Sequence, residues 1–165
     1  MKISVMLLAV MSIFFFAGCA KPKPQLTQLQ LREMQTRQYD IDDTKRAMKS
    51  VLNVLQDEGF IVKQADLELG FLHATKEFDV ENTSDRRWQK FWHGSDAVWN
   101  KNCIIDCSAN VTKFGNGMRI RVNFQRKVLD NKGVCTWVGN IEDPVFYQEF
   151  FSKVDKGIFI EKEQI

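Results

Sequence analysis

The stretch Val111-Thr112-Lys113-Phe114-Gly115-Asn116-Gly117-Met118-Arg119-Ile120-Arg121-Val122-Asn123-Phe124 decides the fold. Met118, Ile120, Val122 and Phe124 alternate with Arg119, Arg121, Asn123 and Gln125. That is the period of a strand with one core face and one polar face. The Asn-Gly step within Gly115–Met118 signals a two-residue hairpin turn. Pairing Gly115 with Met118 sets Val111 opposite Val122 and Ala109 opposite Phe124, so apolar meets apolar. The basic face of this strand reads as solvated sheet rather than a phosphate or headgroup site. The glycines are too few and wrongly spaced for a phosphate loop.

Downstream, Asp130-Asn131-Lys132-Gly133 makes a second turn before a strand over 134–139, so 103–140 reads as three antiparallel strands. Asp143 then caps a helix with Pro144 at its first position, where a missing N–H costs nothing. Phe146, Tyr147, Phe150, Phe151, Val154 and Ile158 give that helix one apolar face, suited to packing across a sheet. Upstream, Asp40 is the expected N-cap of a first helix whose stripe is Ala47, Met48, Val51, Leu52 and Leu55. Capping also explains Asp42 and Asp43 without a metal or acid–base role. Gly59 stands at the C′ position. Short strands follow over 60–62 and 67–78, with Gly70 a bulge or close approach, and residues 32–40 are expected as an edge strand. The fold class is therefore α+β: an antiparallel sheet of about five to six strands packed against two helices.

Residues 79–102 form an insertion in this scheme. Ser84 is placed as the cap of a short helix carrying Trp88, Phe91 and Trp92, with Trp99 beyond it. Two readings compete. The helix folds back over one sheet face, or its Trp and Arg residues make a docking surface, the composition of binding hot spots and of membrane interfaces.

The chain has 165 residues and a net charge of +2, too near neutral for a nucleic-acid binder that relies on bulk electrostatics. At its start, Lys2 precedes an apolar stretch from Ile3 to Ala17, followed by Gly18 and Cys19. This stretch is a signal-peptide core, too short to span a bilayer as a mature helix. Phe16-Ala17-Gly18-Cys19-Ala20 resembles the lipobox of bacterial lipoproteins. The resemblance implies a diacylglyceryl group on the Cys19 thiol, cleavage after residue 18, and acylation of the freed amine; two or three chains anchor stably where one does not. In enteric lipoproteins Asp after the cysteine goes with inner-membrane retention, so Ala20 implies the outer membrane. Residues 19–31, with Lys21-Pro22-Lys23-Pro24 held extended by the prolines, are expected as a flexible tether. Residues 32–165 are then a single periplasmic domain.

The order of elements resembles the helix-grip C-component lipoprotein of the bacterial outer-membrane β-barrel assembly machine. Met34-Gln35-Thr36-Arg37, Val54-Leu55-Gln56-Asp57-Glu58-Gly59-Phe60 and Phe150-Phe151-Ser152-Lys153-Val154-Asp155-Lys156 are similar to a family of Gram-negative envelope lipoproteins. These are patterns of a fold and supply no catalytic residue.

Lipidation leaves Cys103, Cys107 and Cys135, an odd number for an oxidising compartment. Cys103 and Cys107 lie about 13 Å apart along a strand, beyond disulfide reach. Cys103, read as lying in the loop before its strand, is the expected partner of Cys135, with Cys107 a buried free thiol. The C-x₃-C spacing and two scattered histidines, His73 and His93, make a poor zinc signature, and no metal or cofactor is implied. No H-E-x-x-H or G-x-S-x-G arrangement is present. The expected function is a non-enzymatic accessory or structural subunit of an envelope complex, for secretion or outer-membrane assembly. It would be held to the membrane by lipid and bound to envelope proteins. The alternative is a module for a lipid or hydrophobic small molecule. Cys19→Ala should leave the precursor uncleaved and abolish incorporation of labelled palmitate; normal processing elsewhere in that variant would exclude the lipobox.

Overall fold

A computed structural model describes residues 26–163. Its elements are α1 (Gln28–Met34), β1 (Thr36–Tyr39), α2 (Thr44–Asp57), β2 (Ile61–Asp66), β3 (Phe71–Asp79) and α3 (Thr83–His93). A 3₁₀ turn (Gly94–Asp96), β4 (Asn100–Phe114), β5 (Gly117–Asp130), β6 (Cys135–Asn140) and α4 (Pro144–Glu163) follow. The class is α+β, as the hydrophobic patterning requires: one six-stranded antiparallel sheet in the order β1-β5-β4-β3-β2, with β6 also paired to β5. α2 and α4 pack on one face, where Val51, Leu55, Phe151 and Val154 meet Cys107, Val122 and Phe124.

The local chemistry explains where elements begin and end. Asp43, rather than Asp40, caps α2, its carboxylate accepting from the Lys45 N–H at 2.8 Å. The helix closes on Gly59 at φ +81°, with Phe60 N–H to Leu55 O and Gly59 N–H to Gln56 O, both at 2.9 Å. These are the paired bonds of a Schellman motif. β2 runs further than residues 60–62, and β3 starts at Phe71 instead of 67. The reason is the turn between them: the Asp66 carboxylate accepts from Glu68 and Leu69 N–H, each at 2.9 Å. Gly70 ends the turn, and a Cβ there would lie 2.0 Å from the Val111 carbonyl oxygen.

Two expectations are corrected here. Residues 28–31 belong to α1 rather than to a tether. Thr27 Oγ1 accepts from Gln30 N–H and the Gln30 side chain accepts from Thr27 N–H, a capping box that starts the helix. This confines the edge strand to 36–39. The central hairpin is shifted by two residues: Val111 faces Ile120, Ala109 faces Val122 and Cys107 faces Phe124. Its turn is Gly115-Asn116, because Gly117 is needed inside β5, where a Cβ would sit 2.2 Å from the Tyr39 oxygen. A slip of two keeps every side chain on its own face, so hydrophobic alternation alone does not choose between the registers.

One edge of β5 is shared. β1 pairs with residues 118–121 and β6 with 125–129, leaving a seam between them. The buried Tyr147 hydroxyl fills it, accepting from the Phe124 N–H at 3.2 Å and from Gln35 Nε2 at 3.3 Å. Burial pushes the phenol pKa up, so Tyr147 stays neutral. Tyr147→Phe should strand the Phe124 N–H and cost about 1–3 kcal/mol. A urea titration with an unchanged slope and an earlier midpoint would show this; an unchanged midpoint would contradict it.

Candidate functional site

Cys19 lies outside the described residues. The tryptophan-rich insertion is within them, and it reverses the expected burial. Asn82, not Ser84, caps α3, its side chain accepting from Ser84 N–H at 3.0 Å. Trp88, Phe91 and Trp92, spaced i, i+3 and i+4, share one face of the helix. That face is turned to solvent: the three side chains are 65%, 76% and 61% exposed. None of the helix's eleven residues is buried by the described part of the chain. The opposite side, through Asp85 and Gln89, faces the sheet across a cleft of mixed polar and apolar lining. The expectation that this helix covers a sheet face is therefore overturned.

The three rings form one packed cluster. Trp88 and Trp92 meet edge to face at 5.7 Å between centroids, and Phe91 and Trp92 at 5.2 Å, arrangements that aromatic quadrupoles favour. Trp99 stands apart, as the anchor of the insertion. It is partly buried, its indole N–H donates to Glu81 at 3.3 Å, and its backbone N–H donates to the Asn131 side chain at 3.1 Å. Asn131 Nδ2 also donates to the Ala97 carbonyl at 3.2 Å. The turn between β5 and β6 thus ties down the base of the insertion while α3 stands free. Two of its cations are engaged internally: Arg86 pairs with Glu81, and Lys90 lies 5.3 Å over the Trp99 ring.

The expected Cys103–Cys135 bridge is also corrected. Cys103 lies inside β4 opposite Val128, and Cys135 lies in β6 opposite Leu129, with β5 between them. Two strand spacings separate them by about 9–10 Å, too far for a disulfide. Cys103 is 2% exposed on the helix side of the sheet, whereas Cys135 is exposed and its thiol donates to Trp137 O at 3.4 Å. Cys107 is enclosed in the core against Phe124. Burial pushes the thiol pKa of both Cys103 and Cys107 up, the direction that keeps thiols unreactive.

His73 approaches Asp106 at 3.9 Å, and His93 ends α3. Among the described residues no three metal-ligating side chains converge. No protein-family model matches this sequence, and no curated protein matches it.

The thiol environments give a direct expectation. In the native protein iodoacetamide should modify Cys135 within minutes while Cys103 and Cys107 stay protected until denaturant is added. Peptide mapping reads this out, and equal labelling of Cys103 and Cys135 would contradict the placement of Cys103 in β4.

Proposed function

We propose that this chain is a non-enzymatic accessory subunit of an envelope complex, anchored to the outer membrane by lipid at Cys19 with its domain in the periplasm. It engages a protein partner through the aromatic face of α3. The support is the outward face of Trp88, Phe91 and Trp92 on a helix that turns its polar side inward. A soluble domain gains stability by burying such rings, and a contiguous exposed apolar patch marks an interaction site. Trp and Arg dominate binding hot spots. Their edge-to-face packing holds the rings in place before a partner arrives, which reduces the ordering cost of association. A protein partner fits better than an anionic membrane surface. With Arg86 and Lys90 engaged internally, only Arg87 of the three cations lacks an ion-pair or ring partner among the described residues.

A photo-crosslinking amino acid at position 91, in cells expressing the full-length protein, tests the proposal. A discrete adduct with an envelope protein is expected, and Trp92→Ala should remove it while changing stability by no more than about 0.5 kcal/mol. Adducts with lipid alone, or a Trp92→Ala variant that unfolds but keeps its partner, would overturn the proposal.

A further inference from the structure

The helix side of the sheet is only partly covered. Beyond the row Ala74–Cys107–Phe124, which α2 and α4 bury, come two further rows: Lys76–Ile105–Arg126, then Phe78–Cys103–Val128–Trp137. Two cavities lie on these rows and share Phe78. The first has a volume of 420 Å³, with Phe60, Ile105, Phe124, Phe146 and Phe150 in its walls. The second, of 540 Å³, is mixed in lining: Asp85, Gln89 and Arg126 share its walls with Val80, Val98 and Val128.

We propose that the two chambers together bind a single-chain anionic amphiphile, with its hydrocarbon tail in the phenylalanine chamber and its acidic head at Arg126. The tail assignment rests on what the first chamber lacks. Its floor is ring carbon and strand, and the strand backbones are spent on one another. No buried side-chain N or O atom among the described residues is left without a partner. Nothing there reads a peptide or a sugar, whereas hydrocarbon needs only area. The charges at the rims set the direction. Glu58 and Glu149 at the mouth of the tail chamber are matched by Lys76 and Lys153, so that mouth offers an acidic head no net positive charge. Lys153 at that mouth pairs with Glu58, and the Lys76 ammonium donates to the Glu58 carbonyl at 2.6 Å. Arg126 has no carboxylate at ion-pair distance among the described residues. Its guanidinium lies 4.9 Å over the Trp137 ring, which holds the planar fork at the edge of the second chamber. Asp85, the one carboxylate of that chamber, belongs to the first turn of α3, where the helix dipole offsets it.

The site does not rest on the docking role of α3, whose rings face the other way. The test uses the full-length protein in phosphatidylethanolamine vesicles with a diazirine-bearing hexadecanoate, adducts being mapped by mass spectrometry. Adducts should concentrate on Ile105, Phe146 and Phe150 and be competed by unlabelled hexadecanoate or by lysophosphatidylglycerol, whichever source of acidic head fits better. Arg126→Gln should lower this labelling about tenfold, the loss of a charge-assisted hydrogen bond. Labelling by the matching hexadecanol should not change. Ile105→Trp should block the tail chamber. Phe78→Trp, at an exposed wall position, serves the same purpose if Ile105→Trp fails to fold. Trp92→Ala should leave labelling unchanged. Adducts scattered over the surface, adducts indifferent to Arg126→Gln or to the filled chamber, or failure of both competitors would overturn the proposal.

Discussion

Strands that outrun their helices set the shape of this domain. β4 and β5 have 15 and 14 residues, and at 3.3–3.4 Å per residue each reaches about 50 Å. The helix-facing apolar side chains buried on β5 run only from Met118 to Phe124, about half of that length. The half that α2 and α4 cover holds the core: Cys107, Ala109 and Val111 on β4 face Ile120, Val122 and Phe124 on β5, all buried. The other half keeps the same alternation, and α3 faces it only across the cleft. Ile105, Phe78, Val128 and Trp137 remain partly open there. The insertion and both cavities belong to this uncovered end. A shorter hairpin would remove them together.

The sheet's second constraint is that β5 serves two partners on one edge. β1 stops at residue 36 and β6 takes over beyond it, so the Phe124 N–H between them has no strand to pair with. An unpaired N–H at a buried seam is costly. The Tyr147 hydroxyl meets it from α4, and Gln35 completes the contact from the end of α1. One phenol therefore links the last helix, the central strand and the first segments. Its residue type follows from this: Phe146 and Phe150, on either side of it in α4, pack against Phe124 by ring faces and edges alone.

Much of this was legible in the residues, for identifiable reasons. Alternation marked β5, the 3.6-residue stripe marked α2 and α4, and Asp143-Pro144 marked the start of α4, because each is a local signal. The hairpin register was not legible: two alignments that differ by two residues satisfy the same hydrophobic pattern. What separates them is the passage of Tyr39 over Gly117, a contact between segments 78 residues apart. The Cys103–Cys135 pairing failed for a related reason. It assumed a loop where β4 had already begun, and strand ends are set by pairing with β3 and β5 rather than by the residues themselves. α1 carries a local signal too, the Thr27…Gln30 capping box, set within a Gln-rich stretch that otherwise reads as polar spacer. The expectation of lipid at Cys19 comes from the lipobox pattern, which lies outside the described residues.

The insertion shows where pattern reading gives a helix its face but not its orientation. Trp88, Phe91 and Trp92 were expected as one stripe, and they are one. Amphipathicity states that two sides differ, and the usual inference turns the apolar side inward because burial stabilises it. Here the inward position is taken up otherwise. In the cleft beneath α3, Asp85 and Gln89 of the helix face Asn100 and Arg126 of the sheet among apolar walls, and the base of the insertion is fixed by Asn131 to Ala97 and Trp99. Turning the rings inward would carry Asp85 and Gln89 out to solvent and set the aromatics against Asn100 and the Arg126 guanidinium, which would lose water. The polar inner side of α3 and its outward rings are thus one arrangement, set by which side of the helix meets Asn100 and Arg126.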